Sequence, residues 1–133
     1  GIRIMQSVKF KGWKNMKYTL RIKKNRVFKY IFRKGDYSKG NYLVVHSCKT
    51  KFADEPESKN FFAVCVSKKN GNSVGRNKLK RLAREVYKEE ETLLKRGINI
   101  VVMYKKDTDA KEINYYLVKE DIKNCFKDLD LYE

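Results

Sequence analysis

Histidine and proline are scarce in this chain of 133 residues, which contains one histidine, His46, and one proline, Pro56. A Ser/His/Asp or Cys/His catalytic device would have to use His46, and no separate motif identifies its partners. The three cysteines, Cys48, Cys65 and Cys125, cannot close a disulfide framework and show no zinc-binding spacing. We therefore expect reduced, buried thiols, no metal site and no catalytic residue.

Long hydrophobic runs are absent as well. No window approaches the roughly 18 consecutive apolar residues of a membrane-spanning helix, and the N-terminus lacks the apolar stretch of a secretory signal. Since 41% of the residues are hydrophobic, there is enough apolar material for one core. These features predict a cytoplasmic protein without a membrane partner and with one domain over residues 16–133. Residues 1–15 are basic and poorly patterned, and we expect a flexible N-terminal leader or an added extension there.

Acidic residues are rare in the first two thirds of the chain, and the net charge is +16. Residues 1–53 contain 15 basic residues (Lys and Arg) and one acidic residue, and residues 59–84 contain eight basic residues and no acidic residue. Residues 85–133, in contrast, contain nine basic and twelve acidic residues. Such a field favours a polyphosphate ligand, because each neutralised phosphate releases condensed counterions. Paired carboxylates for acid–base or metal-ion chemistry are missing from this basic region. Composition therefore favours nucleic-acid binding over catalysis by the protein.

Hydrophobic spacing predicts three helices and three long strands. Apolar residues recur at helical spacing in three segments: residues 25–34, 73–96 and 114–129. Continuous apolar or β-branched runs predict strands in three others: residues 42–49, 61–67 and 98–104. Gly35 and Gly97 are expected to end the first two helices, residues 36–41 to form a turn, and residues 50–59 to join two hairpin strands. The predicted order is α-β-β-α-β-α.

The stretch from Lys68 to Glu85 carries the strongest signal for nucleic-acid binding. A Gly/Asn/Ser loop, expected to be flexible, leads into the central helix, whose N-terminal N–H groups and dipole attract anions. One polar face of this helix is basic and carries Asn77, Lys80, Arg81, Arg84 and Lys88. The spacing offers no acid to pair with Arg76, Lys80 and Arg84, or with Asn77 and Arg81. The resulting repulsion favours a binding surface over a merely solvated face.

Aromatic and basic residues are interleaved around the first predicted helix. Phe28 and Phe32 lie at helical spacing, and six cations accompany them: Arg21, Lys23, Lys24, Arg26, Lys29 and Arg33. The two rings are either core residues or stacking surfaces for single-stranded nucleotides whose phosphates the cations attract. His46, on a predicted strand, is either a half-buried hydrogen-bonded ring or a base-stacking position. The residues leave both alternatives open.

Two segments resemble the protein subunit of bacterial ribonuclease P: residues 20–35, LRIKKNRVFKYIFRKG, and residues 64–81, VCVSKKNGNSVGRNKLKR. The similarity spans about residues 19–130. The usual Arg-Asn-Arg of the family appears here as Arg76-Asn77-Lys78, which keeps the charge but removes a planar bidentate fork. The resemblance implies an α/β (α+β) two-layer sandwich like one domain of a ribosomal protein. Its small central sheet would contain a left-handed β-α-β crossover around the central helix.

The resemblance also implies a function. The family's ribonucleoprotein is an endonuclease that removes the 5′ leader from precursor tRNA, with Mg²⁺ held mainly by the catalytic RNA subunit and no obligate protein partner. The residues implied in binding the catalytic RNA are Lys68, Lys69, Arg76, Asn77, Lys78, Lys80, Arg81 and Arg84. Those implied in a cleft for the 5′ leader are Arg21, Lys24, Phe28, Phe32 and His46.

Two alternatives from other functional classes share part of this pattern. The first is a ribosomal-type or other RNA-binding protein without a role in processing, because fold and charge alone do not define a function. The second is a basic nuclease that uses His46. Incubation with precursor tRNA separates them. Cleavage by the protein alone supports the nuclease, cleavage only with a catalytic RNA supports the ribonuclease P subunit, and enhancement in neither case supports the RNA-binding protein.

Overall fold

The computed structural model describes residues 16–51, 53–55 and 57–133, so the predicted N-terminal leader, residues 1–15, lies outside the described residues. Within these ranges one sheet contains β1 (Thr19–Arg21), β2 (Asp36–Lys39), β3 (Leu43–Lys49), β4 (Asn60–Cys65) and β5 (Ile98–Tyr104). The helices are α1 (Asn25–Lys34), α2 (Ser73–Glu90) and α3 (Tyr115–Asp128). Short 3-10 turns occur at Lys68–Asn70, Glu91–Leu93 and Ala110–Glu112.

The strands lie in the order β1-β4-β5-β3-β2. β5 is parallel to β4 and antiparallel to β3. The prediction that residues 50–59 join two hairpin strands is therefore wrong, because β5 pairs between β3 and β4. α2 connects the parallel neighbours β4 and β5, so a β-α-β crossover around this helix is present, and its left hand stays a prediction. The mixed α/β sandwich class is confirmed.

Two edge strands, β1 and β2, are missing from the predicted order α-β-β-α-β-α. Residues 36–39, predicted as part of a turn, pair antiparallel with β3, and β1 pairs parallel with β4. Strands of three or four residues are too short for a recognisable apolar period. Pairing with a longer neighbour therefore forms these strands, and local sequence does not reveal it.

The larger part of the core lies between the sheet and the pair α2 and α3. Alternate residues of β3, β4 and β5 point to this face, and most of them are buried against apolar residues of the two helices. At its centre the ring of Phe62 stacks on Tyr87, with a centroid distance of 4.1 Å and an interplanar angle of 18°. This packing fixes α2 against the middle of the sheet.

The smaller part of the core lies on the opposite face, beneath α1. Ile31 of α1 is fully buried there against Ala63 and Val101, and Ile22 completes the cluster. Strand register places the next row of this face at Val44, Met103 and Cys65, which are only partly buried. α1 thus leaves part of the sheet surface accessible.

α1 ends where β3 passes close to it. The N–H of Gly35 donates to the carbonyl of Ile31 at 2.8 Å, which confirms the predicted end. A Cβ at Gly35 would lie 2.3 Å from the carbonyl oxygen of Ser47, so this close approach requires glycine. α2 ends at Glu90, earlier than predicted, because residues 91–93 tighten into a 3-10 turn. None of the helices within the described ranges is long and apolar enough to cross a membrane.

Candidate nucleic-acid interface

Three cations line one flank of α2. Arg76, Lys80 and Arg84 follow each other at four-residue spacing, and all three are partly buried, so their stems pack on the domain. A terminal nitrogen of Arg76 donates to Ser73 Oγ at 3.3 Å, whereas its Nε is buried and has no hydrogen-bond partner. A buried donor without a partner costs free energy. We call this row the α2 flank.

The α2 flank continues onto β1 at Arg21. Thr19 Oγ1 and the Tyr87 hydroxyl share a hydrogen bond of 2.7 Å, and Arg21 projects to the same side of β1 as Thr19. Arg84 precedes Tyr87 by about one helical turn, so the two arginines adjoin. Burial and, to a smaller extent, the charge of Arg21 lower the pKa of Arg84. Although the resemblance implies a cleft position for Arg21, the structure places it beside Arg84.

The other predicted residues of α2 lie elsewhere on the helix. Asn77 and Arg81 are exposed, and Arg81 forms a 3.1 Å ion pair with Glu85. The prediction that Arg81 lacks an acidic partner is therefore wrong, although an exposed pair contributes only about 0–1 kcal/mol. Lys78 lies across the helix from the α2 flank, and its ammonium group donates to the carbonyl of Ala110 at 3.0 Å. It therefore also ties α2 to a neighbouring 3-10 turn.

The loop before α2, predicted to be flexible, is held in place by Asn70. Its side-chain oxygen accepts the N–H of Ser67 at 2.9 Å, and its amide nitrogen donates to the carbonyls of Lys105 and Thr108, each at 2.8 Å. Asn70 is fully buried. The prediction of flexibility is wrong, because these bonds fasten the loop to the end of β5. The turn presents two exposed lysines, Lys68 and Lys69.

Four rings gather on the opposite face of the sheet, beside α1. The ring centroids of Phe28 and Phe32 are 6.4 Å apart, and Phe32 meets the ring of His46 edge-on at 4.8 Å. Tyr37 lies 5.9 Å beyond His46, tilted by 38°. Phe32 is 40% and Tyr37 60% exposed. We call these four rings, together with the partly buried sheet row beside them, the aromatic cleft.

The floor of the aromatic cleft is the row Val44, Met103 and Cys65. Lys39 pairs with Val44 at the β2 end of this row. At the other end the charge of Lys80 acts on the Cys65 thiol, whose pKa is nevertheless raised because burial has the larger effect. An apolar floor therefore has a cation at its β2 end, and its other end lies within the electrostatic influence of Lys80.

The structure brings most of the predicted cleft residues together. Phe28 is partly buried against the smaller core and keeps part of its ring accessible beside Phe32, so it combines the two alternatives that the sequence left open, whereas the more exposed Phe32 fits the stacking alternative. Lys24 is exposed and lies one turn before Phe28 at the start of α1. Burial lowers the pKa of His46, which keeps its imidazole neutral at pH 7. Tyr37 was not among the predicted residues, because it falls in a segment whose composition is typical of a turn.

A cationic helix flank beside an open aromatic cleft defines a class of protein, an α/β domain that binds nucleic acid. Carboxylates do not gather in either surface. In the part of the chain that the structure describes, no group of three or more His, Cys, Asp or Glu side chains is placed to hold a metal ion.

Comparison with known proteins identifies the family. The family model described as ribonuclease P matches residues 16–130. The ribonuclease P protein component of Bacillus pumilus is 32% identical over 118 residues, which cover 89% of this chain and 94% of that protein. The Bacillus cereus protein of the same name is 34% identical over 114 residues, 85% of this chain and 90% of its own.

Solved structures agree with the sequence comparison. The RNase P protein of Staphylococcus aureus matches with a TM-score of 0.72 and 29% identity, covering 85% of this chain and 97% of that one. The RNase P protein of Thermotoga maritima matches with a TM-score of 0.66 and 27% identity, covering 78% and 92%.

The chain belongs to the ribonuclease P protein family. Its function is that of a subunit of the ribonuclease P ribonucleoprotein, the endoribonuclease that matures the 5′ ends of tRNA. This confirms the resemblance. The ribosomal-type alternative and the nuclease that uses His46 lose their support.

Proposed function

We propose that the α2 flank binds the catalytic RNA of ribonuclease P and that the aromatic cleft binds the single-stranded 5′ leader of precursor tRNA. The observation that carries this proposal is that the domain presents the cationic α2 flank on one side of the sheet and the rings of Phe28, Phe32, His46 and Tyr37 on the other. One small domain can then hold a folded RNA and an extended strand next to each other.

The α2 flank suits the backbone of a folded RNA. Arg76, Lys80 and Arg84 are presented by one rigid helix, and Arg21 adds a fourth cation from β1. Arginine guanidinium groups present several N–H donors in a planar fork, which suits phosphate oxygens. Each phosphate neutralised here releases counterions, so this surface contributes affinity without reading base sequence.

The aromatic cleft suits a single strand and not a duplex. Base–aromatic stacking requires an unstacked base, which a single-stranded leader supplies and a paired stem does not. Every base has a π face, so stacking on Phe32 or Phe28 tolerates leaders of different sequence. Holding the leader favours precursor tRNA over the mature product, which lacks it.

We assign bond cleavage, and the Mg²⁺ that it uses, to the RNA subunit. Mg²⁺ requires oxygen ligands in octahedral geometry. The buried carboxylates of Glu91 and Asp121 do not fit, because each already accepts backbone N–H groups. The role of this chain is to bind and orient the two RNAs.

A reconstitution tests this division of labour. Protein freed of RNA is incubated with a leader-bearing precursor tRNA and Mg²⁺, with or without the catalytic RNA. We expect cleavage at the mature 5′ end only when the catalytic RNA is present, and faster cleavage with protein than without it. Cleavage by the protein alone, or no enhancement of the RNA, contradicts the proposal.

The substitution Phe28→Ala tests the cleft itself. We expect the reconstituted enzyme to bind precursor tRNA about tenfold more weakly, because loss of one stacking contact costs about 1–3 kcal/mol. Its affinity for mature tRNA should not change. Phe61→Ala is the matched control, since Phe61 packs on the same small core. Circular dichroism establishes that both variants are folded, and equal effects of the two substitutions would exclude the cleft.

A further inference from the structure

Tyr37 is an exposed ring that continues the aromatic cleft beyond α1. In the sheet register Tyr37 lies opposite His46, so the two side chains share a face. The ring of Phe32 contacts His46 from the other side. Phe32, His46 and Tyr37 therefore form a row that runs from the helix to β2, the edge strand of the sheet.

Core packing does not account for Tyr37. Its side chain is 60% exposed, and the one buried residue of β2 is Ser38. Tyr116 on α3 is exposed to a similar degree, 77%. Tyr116 packs edge-on against its neighbour Tyr115, whereas Tyr37 stands beside the half-buried imidazole of His46 in the aromatic cleft, and the ammonium group of Lys39 lies 6.0 Å from its ring centroid. A ring beside another ring and a cation matches the pattern of single-stranded nucleotide binding.

We propose that Tyr37 is a stacking residue for a base of the 5′ leader and forms, with His46, a second base-binding position at the edge of the sheet. This inference rests on the proposed function of the aromatic cleft and extends it by one position beyond Phe28 and Phe32. The ligand of the position is a single-stranded nucleotide whose base lies on the Tyr37 ring and whose phosphate meets Lys39.

The polar atoms of this position can discriminate between bases. Burial lowers the pKa of His46, so at pH 7 the neutral imidazole has one nitrogen that donates and one that accepts. The Tyr37 hydroxyl can also donate or accept. Stacking on Tyr37 then supplies affinity, whereas hydrogen bonds to His46 and to the hydroxyl group supply a preference at one leader nucleotide.

The test uses the reconstituted enzyme and four variants. Tyr37→Ala removes the ring, and Tyr37→Phe keeps the ring and removes the hydroxyl group. Tyr116→Ala removes an exposed tyrosine of α3, outside the aromatic cleft. Phe28→Ala reports on the cleft as a whole. Dissociation constants are measured for mature tRNA, for precursor tRNA, and for precursors in which each leader nucleotide in turn is abasic. Thermal denaturation shows that each variant is folded.

We expect Tyr37→Ala to weaken precursor binding about tenfold, equivalent to about 1.4 kcal/mol, without changing the affinity for mature tRNA. Tyr116→Ala should stay within twofold of the unmodified enzyme on the intact precursor. Tyr37→Phe should lose less affinity than Tyr37→Ala, because it keeps the stacking ring and removes only the hydrogen bonds of the hydroxyl group. One abasic position should weaken binding to the unmodified enzyme but cause no further loss in Tyr37→Ala, because the two changes remove the same contact.

Two results overturn the inference alone, provided that Phe28→Ala still loses affinity for precursor tRNA. In the first, Tyr37→Ala binds precursor tRNA as well as Tyr116→Ala does. In the second, Tyr37→Ala loses affinity for precursor and mature tRNA equally. If Phe28→Ala and Tyr37→Ala both bind precursor normally, the aromatic cleft does not hold the leader and the proposed function fails as well.

Discussion

The backbone N–H of Lys17 donates to the carboxylate of Glu91 at 2.7 Å, across 74 residues of chain. The same carboxylate accepts the N–H of Tyr18 at 3.0 Å and the hydroxyl group of Thr19, and Glu91 is almost fully buried. This single side chain, at the end of α2, fastens the start of the described chain to the domain. It also sets the position of β1, and with it the position of Arg21 beside Arg84.

Glu91→Ala is expected to destabilise the fold by about 3 kcal/mol, because it removes the buried carboxylate that accepts two partly buried N–H groups and the hydroxyl group of Thr19. The free energy of unfolding from urea denaturation measures the loss. Glu120→Ala, at an exposed carboxylate of α3, is the control and should change stability by less than about 0.5 kcal/mol. If the two variants are equally stable, Glu91 does not anchor β1.

Asn70→Ala is expected to loosen the loop before α2. The substitution removes a side chain that makes hydrogen bonds to Ser67, Lys105 and Thr108, and we expect a cost of about 2–4 kcal/mol. Amide hydrogen exchange should accelerate in residues 67–71 and 105–109 and not in α3. Asn124→Ala, on the exposed side of α3, serves as the control. Unchanged exchange in both loops would contradict the role of Asn70.

His46 is expected to make stability depend on pH below neutrality. Its pKa in the folded protein is lowered from 6.5 by burial, so the unfolded chain binds the proton more readily. Stability is complete above pH 6.5 and falls as the pH decreases towards the folded pKa, with a slope of at most about 1.4 kcal/mol per pH unit. Urea denaturation between pH 7.5 and 5 measures this. In His46→Phe the contribution should vanish, and identical pH profiles of the two proteins would contradict it.

The α2 flank is expected to set the salt dependence of binding to the catalytic RNA. In the double variant Lys80→Ala/Arg84→Ala, the slope of log affinity against log salt should decrease by about 0.7 to 0.9 for each lost phosphate contact. The matched control is Lys123→Ala/Lys127→Ala, which removes two exposed lysines from α3. Equal slopes for the two double variants would show that the α2 flank does not contact phosphates.

Periodic patterns in the sequence predicted the long elements well. β5 matches residues 98–104, and α3 agrees with residues 114–129 within one residue at each end. Apolar residues spaced for one face of a helix, or joined in a strand, are local signals that do not depend on the neighbours they later contact. The basic flank of α2 follows in the same way, because helical geometry alone brings Arg76, Lys80 and Arg84 together.

Most of the errors concern contacts between distant segments, and the missed ion pair of Arg81 with Glu85, four residues away, is the local exception. The position of β5 between β3 and β4 depends on pairing between strands that are far apart in the chain. The residues of the loop at 50–59 do not reveal which strands pair. The rigidity of the loop before α2 depends on carbonyl groups at Lys105 and Thr108. Tyr37 was overlooked because its ring gains a neighbour, His46, only when β2 forms on the edge of β3.

By itself the sequence determined the three helices, the three long strands, the separation of charge and the family, because each of these depends on which residue types follow one another at short spacing. Tertiary structure alone decided the strand order, the placement of Arg21 beside Arg84, and the joining of Phe28, Phe32, His46 and Tyr37 into one cleft. Those features require backbone hydrogen bonds and packing between segments far apart in the chain, and the local propensities of residues do not predict such contacts.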